Sequence, residues 1–161
     1  MNNEGEQEKL TAEDLLANEG DLLAGLLEAA KAKTTDTVII TLKRGDKVFF
    51  RFRVRGMGED EAKDIKERNS TYRTNSIGIR VLKEFNAVRF RSETIYRATV
   101  EEDRVRLWDN REAQQKLNVL SGIDMIDKVL LYGEKDAIYD KIQLVSGFRD
   151  EDEVEETVKN S

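Results

Sequence analysis

Residues 107–148 constrain the chain most, because three short helices are legible there and none is long enough to stand alone. Asp109 and Glu112 have the spacing of a capping box, with a side-chain acceptor at each end of a first helical turn. The helix that follows is expected to run through Ala113 to Leu117. Ser121 and Asp124 repeat that spacing and open a second helix carrying Ile123, Ile126, Val129 and Leu130. Those four recur at three- and four-residue steps, which puts them in one apolar stripe. Gly133 is expected to end this helix, since glycine tolerates the left-handed conformation a helix terminus often needs. Ile138, Ile142 and Val145 form the stripe of a third helix, and Gly147 ends it in turn. Helices of about three turns are marginal alone in water, so these must pack on each other or on another element. Trp108, the only tryptophan, directly precedes the cluster and is expected to pack against Leu130 or Ile142.

The string Leu130-Leu131-Tyr132-Gly133-Glu134, followed by Ile138, Ile142 and Gly147-Phe148, resembles the tail assembly chaperones of the XkdN type. These belong to long-tailed bacteriophages and phage-derived tail-like particles. The similarity extends upstream through Asn118-Val119-Leu120 to Trp108 and residues 95–100. Two positions depart from the pattern: Tyr132 stands where the family usually has proline, and Lys135 where it often has an aromatic. The resemblance implies a non-catalytic chaperone for the long, largely helical tape measure protein, with the major tail-tube protein as a further partner. Such a chaperone keeps its client soluble in the host cytoplasm until tube subunits polymerise around it, and is absent from the mature tail. A long chain of exposed amphipathic helices aggregates unless its apolar faces are covered. The chaperone therefore needs an apolar surface that its own fold leaves open.

The residues present agree with a role outside catalysis. Without cysteine there are no disulfides, thiolate nucleophiles or zinc-thiolate sites, and without histidine the commonest general base and metal ligand are gone. No glycine-rich phosphate loop, HExxH or Asp-rich calcium loop occurs, so no cofactor or metal is expected. The carboxylate runs at 59–61 and 150–153 sit at helix starts, where they complement the helix dipole. No apolar run has membrane-spanning length, and the acidic, polar N-terminus is no signal peptide, so the chain reads as a soluble cytosolic protein. At 161 residues it reads as one domain, 1–161.

The net charge of −6 is unevenly spread: −6 over residues 1–36, +6 over 37–111 and −6 over 112–161. Segments of opposite sign are expected to fold against one another or to solvate the surface. A basic middle that binds nucleic acid is the competing reading.

In chain order, residues 1–10 are polar and expected to be disordered. Thr11 and Asp14 have cap spacing for a first short helix, interrupted at 18–20, and Asp21 restarts a helix to about Lys33. This second piece carries Leu22, Leu23, Leu26, Leu27 and Ala30 on one broad face, with Glu28 and Lys31 turned away. Gly25 among them leaves room for another backbone to approach. A link at 34–36 leads to a β-hairpin at 37–57, rich in valine, isoleucine and phenylalanine. Placing Val38, Ile40 and Leu42 on one face with Val48, Phe50, Phe52 and Val54 requires an odd loop of three or five residues. Arg51, Arg53 and Arg55 then line the other face with Ile39, Thr41 and Phe49. That arginine stripe is the best nucleic-acid signal in the chain. Alternation produces the same stripe on any half-exposed strand, where arginines pair with nearby carboxylates.

Beyond the hairpin, 59–69 reads as a polar helix with Ala62 and Ile65 inward, and 70–76 as a polar loop. Residues 77–85 fit either extended chain or helix. Asn86 is placed to cap a helix through Val88, Ser92, Ile95 and Thr99, although Val88 and Phe90 alternating with Arg89 and Arg91 also fit a strand; the resemblance favours helix. Residues 101–106 read as a charged connector, and Asp150 with Glu153 as the cap of a last acidic helix. The expected fold is α+β and mostly α-helical, with one N-terminal β-hairpin and a C-terminal cluster of short helices. The expected partner-binding residues are Leu22, Leu23, Leu26 and Leu27, with Phe148 as a second contact, and the chain is compatible with a homo-oligomer. The alternative function is a nucleic-acid-binding or regulatory module using Arg51, Arg53 and Arg55.

Overall fold

A computed structural model describes residues 19–148, so the early cap at Thr11 and the acidic helix after Asp150 lie outside the described residues. The chain runs α1 (Glu19–Thr35), β1 (Thr37–Arg44), β2 (Lys47–Arg55), α2 (Glu59–Arg68), β3 (Ser70–Thr74), β4 (Arg80–Phe85) and α3 (Ala87–Ala98). It continues through α4 (Glu101–Arg106), α5 (Arg111–Leu117), α6 (Gly122–Val129) and α7 (Tyr132–Val145). The fold is α+β and mostly helical, as the residue pattern predicts, but it contains two antiparallel hairpins where one was expected.

The first hairpin keeps the expected pairing by an unexpected route. Val38 faces Val54, Ile40 faces Phe52 and Leu42 faces Phe50, yet the turn is only Gly45 and Asp46, between Arg44 and Lys47. Glycine supplies the positive φ of 61° that so short a turn demands. The phase is restored by a bulge: Lys43 pairs with Val48 and leaves Phe49 as the extra residue. The bulge also corrects the placement of Val48, which lies beyond it and is exposed rather than inward.

One face of this hairpin carries the core. Ile40, Leu42, Phe52 and Val54 pack against Ile95 and Ala98 of α3, Met125 and Ile126 of α6, Leu130, and Ile138 and Ile142 of α7. Trp108 is 1% exposed and meets Phe50 and Phe52 edge-on, with centroids 5.9 and 5.3 Å away. Its aromatic partners thus come from the hairpin rather than from the following helices. Its indole N–H donates to Thr99 Oγ1 at 2.9 Å, the partner a buried tryptophan needs. Thr99 also bridges to Val54, and the Val100 N–H donates to the Arg53 carbonyl, so this segment covers the outer edge of β2.

The second hairpin occupies residues expected to be loop and ambiguous chain. Ser70 pairs with Phe85, Tyr72 with Leu82 and Thr74 with Arg80. Its turn is organised by Asn75, whose side-chain oxygen accepts the N–H groups of Ile77 and Ile79, with Gly78 at φ 82°.

The helix ends divide between expectation and correction. Asn86 caps α3 by accepting the Arg89 N–H, and Ser121 caps α6 by accepting the Asp124 N–H. At α5 the cap is Asn110, not Asp109, whose carboxylate accepts the Tyr96 hydroxyl instead. Helix α6 ends at Leu130 in extended conformation. Gly133 therefore does not end it and lies in the first turn of α7. Gly147, at φ 101°, does terminate α7: its N–H donates to Leu144 and that of Phe148 to Gln143, the paired bonds of a Schellman end. The charged connector at 101–106 is a helical turn and a half. In α2 only Ile65 is buried, and Ala62 is exposed.

Candidate partner-binding surface

Helix α1 is built from good helix formers and stands away from the rest. Residues 20–31 are all exposed and Ala32 is half-buried, so only the last turn approaches the body. Leu22, Leu23, Leu26 and Leu27 are 60%, 59%, 61% and 64% exposed, on the single face the sequence places them on. Among the described residues no other element comes within 4 Å of where a side chain at Gly25 would begin, so none of them makes the expected close backbone approach. The link is tighter than expected. The helix continues through Thr35, whose hydroxyl donates to the Lys31 carbonyl, and Asp36 alone leads into β1, its N–H donating to Ala32.

Phe148 is exposed at the other end of the described chain. Both surfaces nevertheless root near residues 56–58. A side chain at Gly56 would start 2.7 Å from the Val145 carbonyl oxygen, and the Met57 N–H donates to Ser146 Oγ at 3.0 Å. A side chain at Gly58 would start 3.9 Å from the Lys33 side chain, near the root of α1.

The second hairpin adds an apolar surface that the residue pattern did not single out. Tyr72 and Leu82 stand opposite one another, Ile77 and Ile79 crown the turn, and all four are exposed. The Arg80 guanidinium lies 3.8 Å from the Tyr72 ring centroid. At its base, Phe85 meets Phe90, which meets Tyr139. Asn75 and Gly78 at turn spacing between Thr-rich and Ile/Val-rich stretches were the available signal.

The arginine stripe is largely neutralised by carboxylates. Arg53 binds Asp103 through its backbone N–H at 2.7 Å and its guanidinium at 3.1 Å, and also reaches Glu102 at 3.1 Å. The Arg53 guanidinium and then its backbone N–H hold the buried Asp103 carboxyl below its ordinary range against the opposing effect of burial. Arg55 grips Glu61 with two bonds of 2.8 and 3.0 Å. Among the described residues Arg51 alone of the three makes no ion pair, so little of the stripe remains for phosphate.

No group of acidic residues suited to a metal ion occurs among the described residues, and no described helix is long and apolar enough to cross a membrane. Over residues 23–160 the chain matches the family model of the phage XkdN-like tail assembly chaperone proteins. No curated protein and no solved structure matches it.

Proposed function

Because the chain belongs to the phage XkdN-like tail assembly chaperone family, we propose that it captures the tape measure protein on the leucine face of α1. The observation that carries this reading is the exposure of Leu22, Leu23, Leu26 and Leu27 on a helix the body leaves uncovered. An amphipathic helix of the client lays its own apolar stripe along that face, and Phe148 supplies a second contact. Four leucines contribute roughly 1.5–3 kcal/mol each when fully buried, before the cost of association. The chaperone acts in the host cytoplasm, binds without catalysis, and leaves before the tail is finished; the major tail-tube protein is a second client.

The double change Leu23→Asp and Leu27→Asp is expected to abolish capture of the tape measure protein in co-expression pull-downs. The melting temperature should stay nearly unchanged, because neither side chain packs in the core. Unimpaired capture by the double variant would overturn the proposal. A large fall in melting temperature would show the face to be part of the fold.

A further inference from the structure

We propose that α1 pairs antiparallel with α1 of a second copy of this chain, and that this dimer covers the leucine face until a client displaces it. The pairing stands on the helix itself; its role in guarding that face rests on the function proposed above.

The helix is self-complementary about its own middle. Asp21-Leu22-Leu23-Ala24-Gly25-Leu26-Leu27-Glu28 carries the same residue classes read in either direction. With 3.6 residues per turn, the four leucines fall within one arc and Asp21 and Glu28 on the opposite side. A two-fold axis between Ala24 and Gly25 therefore sets Leu23 against Leu26 of the partner copy, and Leu26 against Leu23, while the carboxylates of Asp21 and Glu28 stay in water. A helix exposed over residues 20–31 is marginal without cover in water, and a second copy repeats the same need.

The direction follows from the rest of the chain. Lys33 continues the stripe of Leu23, Leu26 and Ala30, so a parallel pair would set two ammonium groups against each other. A parallel pair would also crowd both bodies at one end, because Asp36 alone separates α1 from β1. Antiparallel pairing sends the bodies to opposite ends and opposes the helix dipoles. Among the described residues the chain's own body is not the cover: residues 20–31 are exposed, and the Asp36 N–H bonds back to Ala32, carrying the helix up to the start of β1.

The full chain should show twice its monomer mass in light scattering at tens of micromolar, and Leu23→Asp with Leu26→Asp should halve that mass. The absence of cysteine makes orientation readable. A mixture of Leu23→Cys and Leu26→Cys chains, oxidised with copper phenanthroline, should give far more covalent dimer than either alone. Lys33→Cys should give none, since its two copies would lie about 25 Å apart along the axis and a disulfide needs Cα atoms within about 7 Å. A monomeric wild type, a dimer indifferent to the aspartates, or ready cross-linking through Lys33→Cys would overturn the pairing. Capture of the tape measure protein with the dimer left intact would overturn its guarding role. A monomer that captures the client would sink this inference alone; a dimer that captures none would sink the function proposed above, and with it the guarding role, but leave the pairing standing.

Discussion

Trp108 shows how far one side chain reaches in this fold. It joins the hairpin, through Phe50 and Phe52, to the loop after α3, through Thr99, and almost none of it is exposed. Trp108→Ala should cost about 3–5 kcal/mol in chemical denaturation, and native emission should be blue-shifted and move red on unfolding. The structure shows what holds Lys135 and Tyr132 in place. Lys135 is buried and its ammonium lies 2.6 Å from Asp127, which also accepts the Ser92 hydroxyl at 2.5 Å. A carboxylate within reach is what lets a cation be buried there. Tyr132 is the first residue of α7, where the backbone N–H has no intrahelical acceptor and proline is favoured. Leu131 before it is extended, at φ −73° and ψ 159°, as a residue preceding proline must be. Tyr132→Pro is therefore expected to fold normally and to be about 0.4–1 kcal/mol more stable, less whatever the Arg91 stack on the Tyr132 ring contributes. A melt showing clear destabilisation would refute that view of the turn.

The LLYGE string acquires a physical role at the level of elements. Leu130 closes α6 in the core, the Leu131 N–H donates to Glu134 at 2.8 Å, and Glu134 takes Arg44 at 2.7 and 3.0 Å. The turn between α6 and α7 is thereby clamped to the end of β1. The hairpin β3–β4 has the opposite character. Its strand residues are largely exposed, and a lone two-stranded hairpin is marginal in water. At its base the Asn86 N–H donates to the Asn69 carbonyl at 2.9 Å, so the two ends already lie together. Excising 71–84 and closing the gap with a short glycine turn should change stability by less than about 1 kcal/mol. Loss of cooperative unfolding in that variant would show that the hairpin supports the body.

Across the whole molecule, charge is settled by pairing more than by the three-part division of the sequence. Arg53, Arg55, Arg68, Arg97 and Arg106 find carboxylates within the basic middle itself. Arg44 and Arg91 reach Glu134 and Asp136 in the acidic last third. Asp103 and Glu134 both ionise below their ordinary range, each held first by an arginine side chain. A carboxylate with a depressed folded pKa contributes stability above its unfolded pKa of about 4, and loses it as pH falls through the folded value. Thermal melts should therefore show the melting temperature falling from about pH 4 downward. Asp103→Asn should melt lower at neutral pH and follow a flatter acid limb; an unchanged limb would remove Asp103 as its source.

Local order was legible because its physics is local. The caps at Asn86 and Ser121, the glycine end at Gly147 and the leucine face of α1 each depend on residues within a few positions of one another. The facing of Val38, Ile40 and Leu42 onto the core followed from alternation alone. The remainder turned on groups far apart in the chain. Alternation required a three- or five-residue loop in the first hairpin, because pairing without a bulge excludes the two-residue turn that the fold uses. Asn110 rather than Asp109 became the α5 cap because Tyr96 engages the Asp109 carboxylate. Alternation implied that carboxylates would meet the arginine stripe, but only the fold shows that they are Asp103, Glu102 and Glu61, and that Asp127 meets the buried Lys135. Short-range periodicity specifies which backbone hydrogen bonds form, whereas the burial of a charge is decided by whichever opposite charge the folded chain delivers to it.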